Sequence, residues 1–339
     1  MQLLEGMSLN SLIIPIYKNE SSLGKVIEVC AWIHQRLNQS LEVVFVVDGS
    51  PDESIKILKK HTESVCFQYQ IVELSRNFGS FAAIKKGLEL ARGENFAVMA
   101  ADLQEPQELI LEFFGELQAG DSDVVLGSRE SRKDPLISRL FSEVFWLVYR
   151  KMIQPEMPKG GVDIFGCNKI FRNYLIQLNE SHSSLVGLIF WMGFKRKIIP
   201  YCRKERGHGK SAWTVRKKIR YMLDSIFSFT DLPIQFLMAF GFLGSGVSFL
   251  LGVLIVVSKM TGAISVPGYA ATALIILFFA SLNSLGLGII GIYVWRAFEN
   301  TKQRPLSLVS RNFNDGLTFA GMEVFKNDKT IYTSNSISR

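Results

Sequence analysis

Several apolar runs in this chain stop abruptly at carboxylate, amide or guanidinium side chains able to do chemistry. The run Ala97–Pro106 (AVMAADLQEP) breaks into Asp102, Gln104 and Glu105, Leu41–Val47 breaks into Asp48 and Gly49, and the segment after Leu74 delivers Arg76 within SRNFGS. An aspartate and a glycine at the carboxyl end of a buried strand suit close approach to a nucleotide. Guanidinium groups such as those of Arg129 and Arg132 in GSRESR suit phosphate. A plainer explanation stands beside each. Asp102 is also placed to cap a helix starting at Pro106, and Ser50 with Glu53 matches an S-x-x-E capping box for a helix starting at Pro51. Exposed arginines are commonly just solvated. Asp163, beside Gly160 and Gly161, reads equally as a turn aspartate or a site residue.

Positioning these residues requires strands that end together. The first half alternates strand-like and helix-like segments, which predicts an α/β fold with a mainly parallel sheet. Strands are expected at Leu12–Tyr17, Leu41–Val47, Gln68–Leu74, Asn95–Ala101 and Asp123–Leu126. Helices are expected after Glu20 to about Leu37, from Phe81 to Arg92, from Pro106 to Ala119 and over Leu136–Ile153. Each turn named above then opens at the carboxyl edge of the sheet, with Arg129 and Arg132 in a loop at the same edge.

The second half has a different composition. Leu232–Trp295 carries Lys259 as its one charge, enough apolar chain for two membrane spans, at about Pro233–Val257 and Ala271–Trp295. Eleven Lys/Arg face the single Glu205 between Lys195 and Arg220, so this +10 segment exceeds the chain's net +7 and leaves −3 for the remainder. Basic residues ahead of a span mark a cytoplasmic, lipid-facing flank and not a nucleic-acid patch. Within the flank, AWTVRKKIRYMLDSIFSF has the spacing of a basic amphipathic helix lying in the interface. Arg296, Lys302, Arg304 and Arg311 place the far end of the hairpin on the same side. The expected arrangement is multi-pass, with the first domain and both termini cytoplasmic. Four scattered cysteines imply reduced thiols, and Glu5 interrupts any leader-like run. Gly241, Gly244, Gly286, Gly288 and Gly291 offer small-residue faces on which copies of the hairpin could pack, giving a homo-oligomer.

PIYKNE (Pro15–Glu20), VDGSPDES (Val47–Ser54), SRNFGS, AADLQEP, GSRESR and RKERGHGKSAWT (Arg203–Thr214) together resemble the family 2 glycosyltransferases, in particular their polyprenyl-phosphate hexosyltransferase branch. The resemblance spans roughly residues 10 to 305, and no QxxRW motif of the processive branch is present. It implies a GT-A (Rossmann-like) catalytic domain over 1–200, a basic interfacial region over 201–231, a two-span hairpin over 232–296 and a cytoplasmic tail over 297–339. It implies inverting transfer of a hexose from a nucleotide sugar, with uracil the expected base, to undecaprenyl phosphate at the cytoplasmic face of a bacterial inner membrane. The product would feed cell-surface glycan synthesis or modification.

By resemblance, Pro15, Tyr17, Glu20, Asp48, Arg76 and Arg129 hold the donor, and Asp102 and Gln104 bind Mg²⁺ or Mn²⁺. Arg132, Arg203, Arg206, Lys210 and Ser211 approach the lipid phosphate, and Asp163 matches an aspartate assigned as a base. Two departures stand out. Ala100 replaces the first acid of Asp-x-Asp, and Val47 stands where Asp-Asp-Gly-Ser is common. The first motivates a rival, a catalytically impaired relative that binds lipid or scaffolds a partner.

Overall fold

The computed structural model describes residues 9–62, 64–130, 150, 154–158, 161–180, 183–203, 223–224, 226–230, 232–261 and 269–314. The α/β class holds. Strands β1 (Asn10–Ile16), β2 (Leu41–Val47), β3 (Gln68–Leu74) and β4 (Asn95–Val98) alternate with helices α1 (Leu23–Arg36), α2 (Ser54–Thr62) and α3 (Ser80–Leu90). Then come α4 (Gln107–Ala119), β5 (Val124–Arg129), β6 (Val162–Asn168), α5 (Lys169–Gln177), α6 (Leu185–Trp191) and β7 (Arg196–Tyr201). Two long helices, α7 (Leu232–Met260) and α8 (Tyr269–Thr301), precede the strand β8 (Val309–Asn314).

One eight-stranded sheet has the order β7-β5-β6-β4-β1-β2-β3-β8. The continuous apolar runs of β1 and β2 pair in parallel from Asn10 with Leu41 to Ile16 with Val47, as strands covered on both faces should. Alternate residues feed two cores. Leu12, Ile14, Val43 and Phe45 join the layer under α1 and α4, while Ile13, Val44 and Val46 join the layer that includes α3.

The sheet is less uniformly parallel than expected. β6 lies antiparallel to both β4 and β5, and β8 lies antiparallel to β3. The apolar segment after Asp163 is therefore split: its first part is β6, and Asn168 then caps α5, its Oδ1 accepting the Phe171 N–H at 2.9 Å. Antiparallel β6 brings its first residues, including Asp163, to the edge where the parallel strands end. Arg129 is the last residue of β5 and not a loop residue.

α7 and α8 are long and apolar enough to cross a membrane, through Leu232–Leu251 and Phe278–Thr301. Phe242 and Phe249 on α7 are 78% and 72% exposed, which water would penalise and lipid would not. A Cβ on Gly286 would sit 2.9 Å from Leu237 Cδ1, so this glycine already serves contact within the hairpin. Gly241, Gly288 and Gly291 have no such neighbour within 4 Å. Gly187 of α6 lies against the Phe229 ring, 2.3 Å from where its Cβ would be, which packs the segment ahead of α7 onto the sheet domain. Most of the expected interfacial helix, and all of the expected helix over 136–153 except Arg150, lie outside the described residues. Leu223, Asp224 and Ile226–Phe229 are helical.

Candidate active site

The carboxyl ends of β1, β2, β3, β4, β5 and β7 converge on one edge of the sheet. At the end of β2, Asp48 is 2% exposed, and its two oxygens accept the Phe78 N–H at 2.7 Å and the Gly79 N–H at 2.8 Å. Burial pushes this carboxyl up, while the two N–H groups and the Arg76 charge oppose the shift. Asp48 thus spends both oxygens fastening the loop after β3. The neighbouring Gly49 has φ +55°, and a Cβ there would lie 2.3 Å from the Arg76 carbonyl carbon. Only glycine lets the two loops approach this closely. Arg76 stacks over the Phe78 ring at 4.0 Å.

The loop after β1 is latched to the loop after β2. Lys18 N–H donates to Ser50 Oγ at 2.8 Å, Glu53 N–H to Glu20 Oε2 at 3.0 Å, and Glu20 N–H to Asp52 Oδ2 at 3.2 Å. The expected Ser50–Glu53 capping box does not form, because α2 begins at Ser54 and Asp52 takes the capping role, accepting the Ser54 N–H at 3.3 Å. Pro15 is half-buried in β1, and Tyr17 is 39% exposed where β1 ends.

At the end of β4 the chain turns sharply. Leu103 has φ +54°, a conformation non-glycine residues rarely hold, and such strain concentrates at functional sites. Asp102 is half-buried, and its Oδ1 accepts the Gln104 N–H at 3.4 Å. It does not cap α4, whose N-cap is Pro106 with no side-chain hydrogen bond. Gln104 is buried, and its amide oxygen accepts Arg203 Nη2. Glu105 is 5% exposed, and its Oε2 has no partner among the described residues. Burial, with the charge of Asp102 and more weakly that of Asp163, pushes the Glu105 carboxyl up to about 7 against the pull of Arg203.

On the far side, Asp163 receives Arg129 through two donors, Nε to Oδ2 and Nη2 to Oδ1, the latter at 2.7 Å. Tyr201 at the end of β7 donates its hydroxyl to Asp163 Oδ2 at 2.7 Å. Burial and the nearby carboxylates push the Tyr201 phenol up, so it stays protonated and able to donate. Burial works against the Arg129 charge, but Asp163 and Tyr201 outweigh it and hold the guanidinium above its ordinary value.

The structure therefore gathers Asp102, Gln104, Arg129, Asp163 and Arg203 about one edge, with Tyr17, Glu20, Asp48 and Arg76 on the loops beside them. Arg132, Arg206, Lys210 and Ser211 lie outside the described residues. Sequence reasoning passed over Tyr201 and gave Glu105 no role. Among the described residues no group of three or more His, Cys, Asp or Glu forms a metal cluster. The candidate donors are instead the hard oxygens of Asp102 and of the Gln104 amide, the latter accepting from Arg203, with Glu105 Oε2, which has no partner among the described residues; oxygen donors of this kind suit Mg²⁺ or Mn²⁺.

Residues 11–178 match the model of Glycosyl transferase family 2. An uncharacterized glycosyltransferase of Synechocystis sp. is 32% identical over 88% of this chain and 94% of its own length. The bactoprenol glucosyl transferase of Shigella phage SfII is 27% identical over 89% of this chain and 97% of its own. Among solved structures, glucosyl-3-phosphoglycerate synthase from Mycobacterium tuberculosis in complex with Mn²⁺, uridine diphosphate and phosphoglyceric acid aligns with a TM-score of 0.47 at 15% identity, over 65% of this chain and 76% of that one.

Proposed function

Because this chain belongs to glycosyl transferase family 2 and carries its GT-A fold, we propose that it transfers a hexose from a nucleotide sugar, a UDP-sugar by preference, to a polyprenyl phosphate. The observation that carries this reading is the meeting of the donor loops, the DLQEP turn and the Arg129–Asp163–Tyr201 cluster at one sheet edge, in a chain that also has two membrane-length helices. The likeness to a bactoprenol glucosyl transferase supports a lipid phosphate acceptor. The hairpin would span the bacterial inner membrane, with the domains divided near residues 200, 231 and 296. The sheet domain and both termini would then lie on the cytoplasmic side.

Asp102 and Gln104 would hold Mg²⁺ or Mn²⁺, which when bound neutralises charge on the departing nucleoside diphosphate. Arg203, whose Nη2 donates to the Gln104 amide oxygen, would carry its charge toward the acceptor phosphate. The acceptor is largely dianionic at neutral pH, so it needs positioning more than deprotonation. One of its oxygens forms a bond to the anomeric carbon as the carbon–oxygen bond to the diphosphate breaks, inverting the configuration. Asp163, held by Arg129 and Tyr201, serves here by fixing Arg129. Arg132, Arg206, Lys210 and Ser211 would complete the acceptor side.

Membranes bearing the protein, given polyprenyl phosphate, Mn²⁺ and a panel of labelled UDP- and GDP-sugars, should yield a mild-acid-labile glycolipid. No transfer from any donor, or undiminished transfer by Asp102→Ala, would sink the proposal. Ala100 favours a second reading, a non-catalytic scaffold. Calorimetry separates the two, since a scaffold should show no metal-dependent nucleotide binding.

A further inference from the structure

We propose that Glu105 is the second carboxylate of the metal–diphosphate site, taking over the charge that Ala100 does not supply. The inference rests on the reading that Asp102 and Gln104 hold a divalent cation. Those two ligands bring a single negative charge, because the Gln104 amide is neutral. An acid at position 100 would bring a second, and alanine cannot.

Three observations direct the missing charge to Glu105. It is 5% exposed, and its Oε2 has no partner among the described residues, a costly state for a buried carboxylate unless something absent from the protein itself completes it. Its surroundings are those of the site: Asp102 and Asp163 repel it and Arg203 attracts it. Beyond a hydrogen bond from its own backbone N–H, no structural duty among the described residues absorbs it: α4 has no side-chain hydrogen bond at its N-cap, and Arg203 directs Nη2 to Gln104. Arg203 Nε is likewise buried with no partner among the described residues, and although the opposite charges of Glu105 and Arg203 lie close enough to interact, Glu105 Oε2 and Arg203 Nε are not bonded to each other. A pair serving only to stabilise the fold would close that bond. An open pair suits two groups that await a cation and an anion respectively.

The test is Mn²⁺ binding by the full-length protein in detergent, read by electron paramagnetic resonance with and without UDP, alongside the thermal midpoint. Glu105→Gln keeps the shape and removes the charge. It should weaken Mn²⁺ binding in the presence of UDP by about tenfold or more. Glu105→Asp, which keeps the charge, should stay within about threefold of the parent on the same scale. Adding Ala100→Asp to Glu105→Gln should recover most of the loss. A folded Glu105→Gln protein that binds Mn²⁺ as the parent does would overturn the inference. So would a loss that Ala100→Asp leaves uncorrected, because Glu105 would then be shaping the turn. A parent with no Mn²⁺-dependent UDP binding would remove the metal reading itself, and this assignment with it.

Discussion

Asp163 holds Arg129 through both Nε and Nη2, a fork matched to the two carboxylate oxygens. Each side chain is 22% exposed, so the pair is partly shielded from water and harder to replace than a surface contact. With Tyr201 also donating, Asp163 accepts three hydrogen bonds and has little capacity left for a substrate proton. Asp163→Asn should therefore lower kcat/KM about 10²-fold by misplacing Arg129, mainly through KM, and leave the shape of the pH–rate profile unchanged. Arg129→Gln combined with Asp163→Asn should be little worse than the more damaging single change. Steady-state kinetics between pH 6 and 9 decide it: loss of an ionisation in Asp163→Asn would restore Asp163 as a base.

Gly49 separates two loops at their closest approach. Any Cβ there meets the backbone of Arg76 and Asn77 at 2.3 to 2.6 Å, and backbone cannot swing aside as a flexible side chain can. The φ of +55° adds strain for alanine. Gly49→Ala should cost about 1–3 kcal/mol of stability, lowering the thermal midpoint, and should weaken UDP binding because Asp48 can no longer hold the Phe78–Gly79 loop. A variant with the parent's thermal midpoint and UDP affinity would show that the loops separate freely.

The donor half of this edge was legible because it follows from local rules. Continuous apolar runs gave β1 to β4, and the turn residues behind them gave Asp48, Gly49, Asp102 and Gln104. What was missed depends on contacts distant in sequence. Glu53 pairs with Glu20 and not Ser50, across 33 residues, because the loop after β1 comes within reach of α2. Tyr201 earns a place through Asp163, 38 residues away. Glu105 stands out only through its burial, which no pattern in DLQEP encodes. The antiparallel insertion of β6 was equally hidden, because a strand buried on both faces reads the same in either direction.

Strand β8 returns the chain to the donor loops after the hairpin. Leu308 carbonyl accepts the Ser75 N–H at 2.9 Å, Ser310 Oγ donates to the Glu73 carbonyl at 3.1 Å, and Lys59 Nζ lies 3.6 Å from the Phe313 ring centroid. β8 thus covers the β3 edge just before the loop that Asp48 grips. Phe313→Ala should lower stability by about 1–2 kcal/mol and speed amide exchange in residues 70–79. Unchanged exchange there would mean that β3 holds its edge without β8.

Glu105 makes the metal-free protein sensitive to pH. Its carboxyl is held near 7 in the fold against 4.5 when free, so the native state binds the proton more tightly than the unfolded chain. The contribution of Glu105 to stability is then greatest below about pH 4.5, falls as pH rises toward 7 and is level above it, a span of about 3 kcal/mol at 1.36 kcal/mol per pH unit. With chelator present, the parent's thermal midpoint should drop between pH 5 and 8 by several degrees more than that of Glu105→Gln. Equal slopes in the two proteins would mean that Glu105 is ionised throughout.

The base of the hairpin is tied by Arg296, whose Nη2 donates to Asp224 Oδ1 at 2.6 Å and whose Nη1 donates to Ser228 Oγ at 2.9 Å. Tyr293 supports the same joint, donating to the Thr230 carbonyl at 3.2 Å and meeting the Phe227 ring edge-on at 5.4 Å. The side chains of Arg296 and Asp224 are 15% and 27% exposed, so removing either charge leaves the other poorly solvated. Arg296→Gln and Asp224→Asn should each cost about 1–3 kcal/mol, with the double variant less damaged than the sum. Because Phe229 packs on Gly187, loosening this joint should also free α6, and limited proteolysis in lipid nanodiscs should cut near residues 185–195 faster in either single variant. Additive losses, or cleavage at the parent's rate, would show that the hairpin and the sheet domain are held together elsewhere.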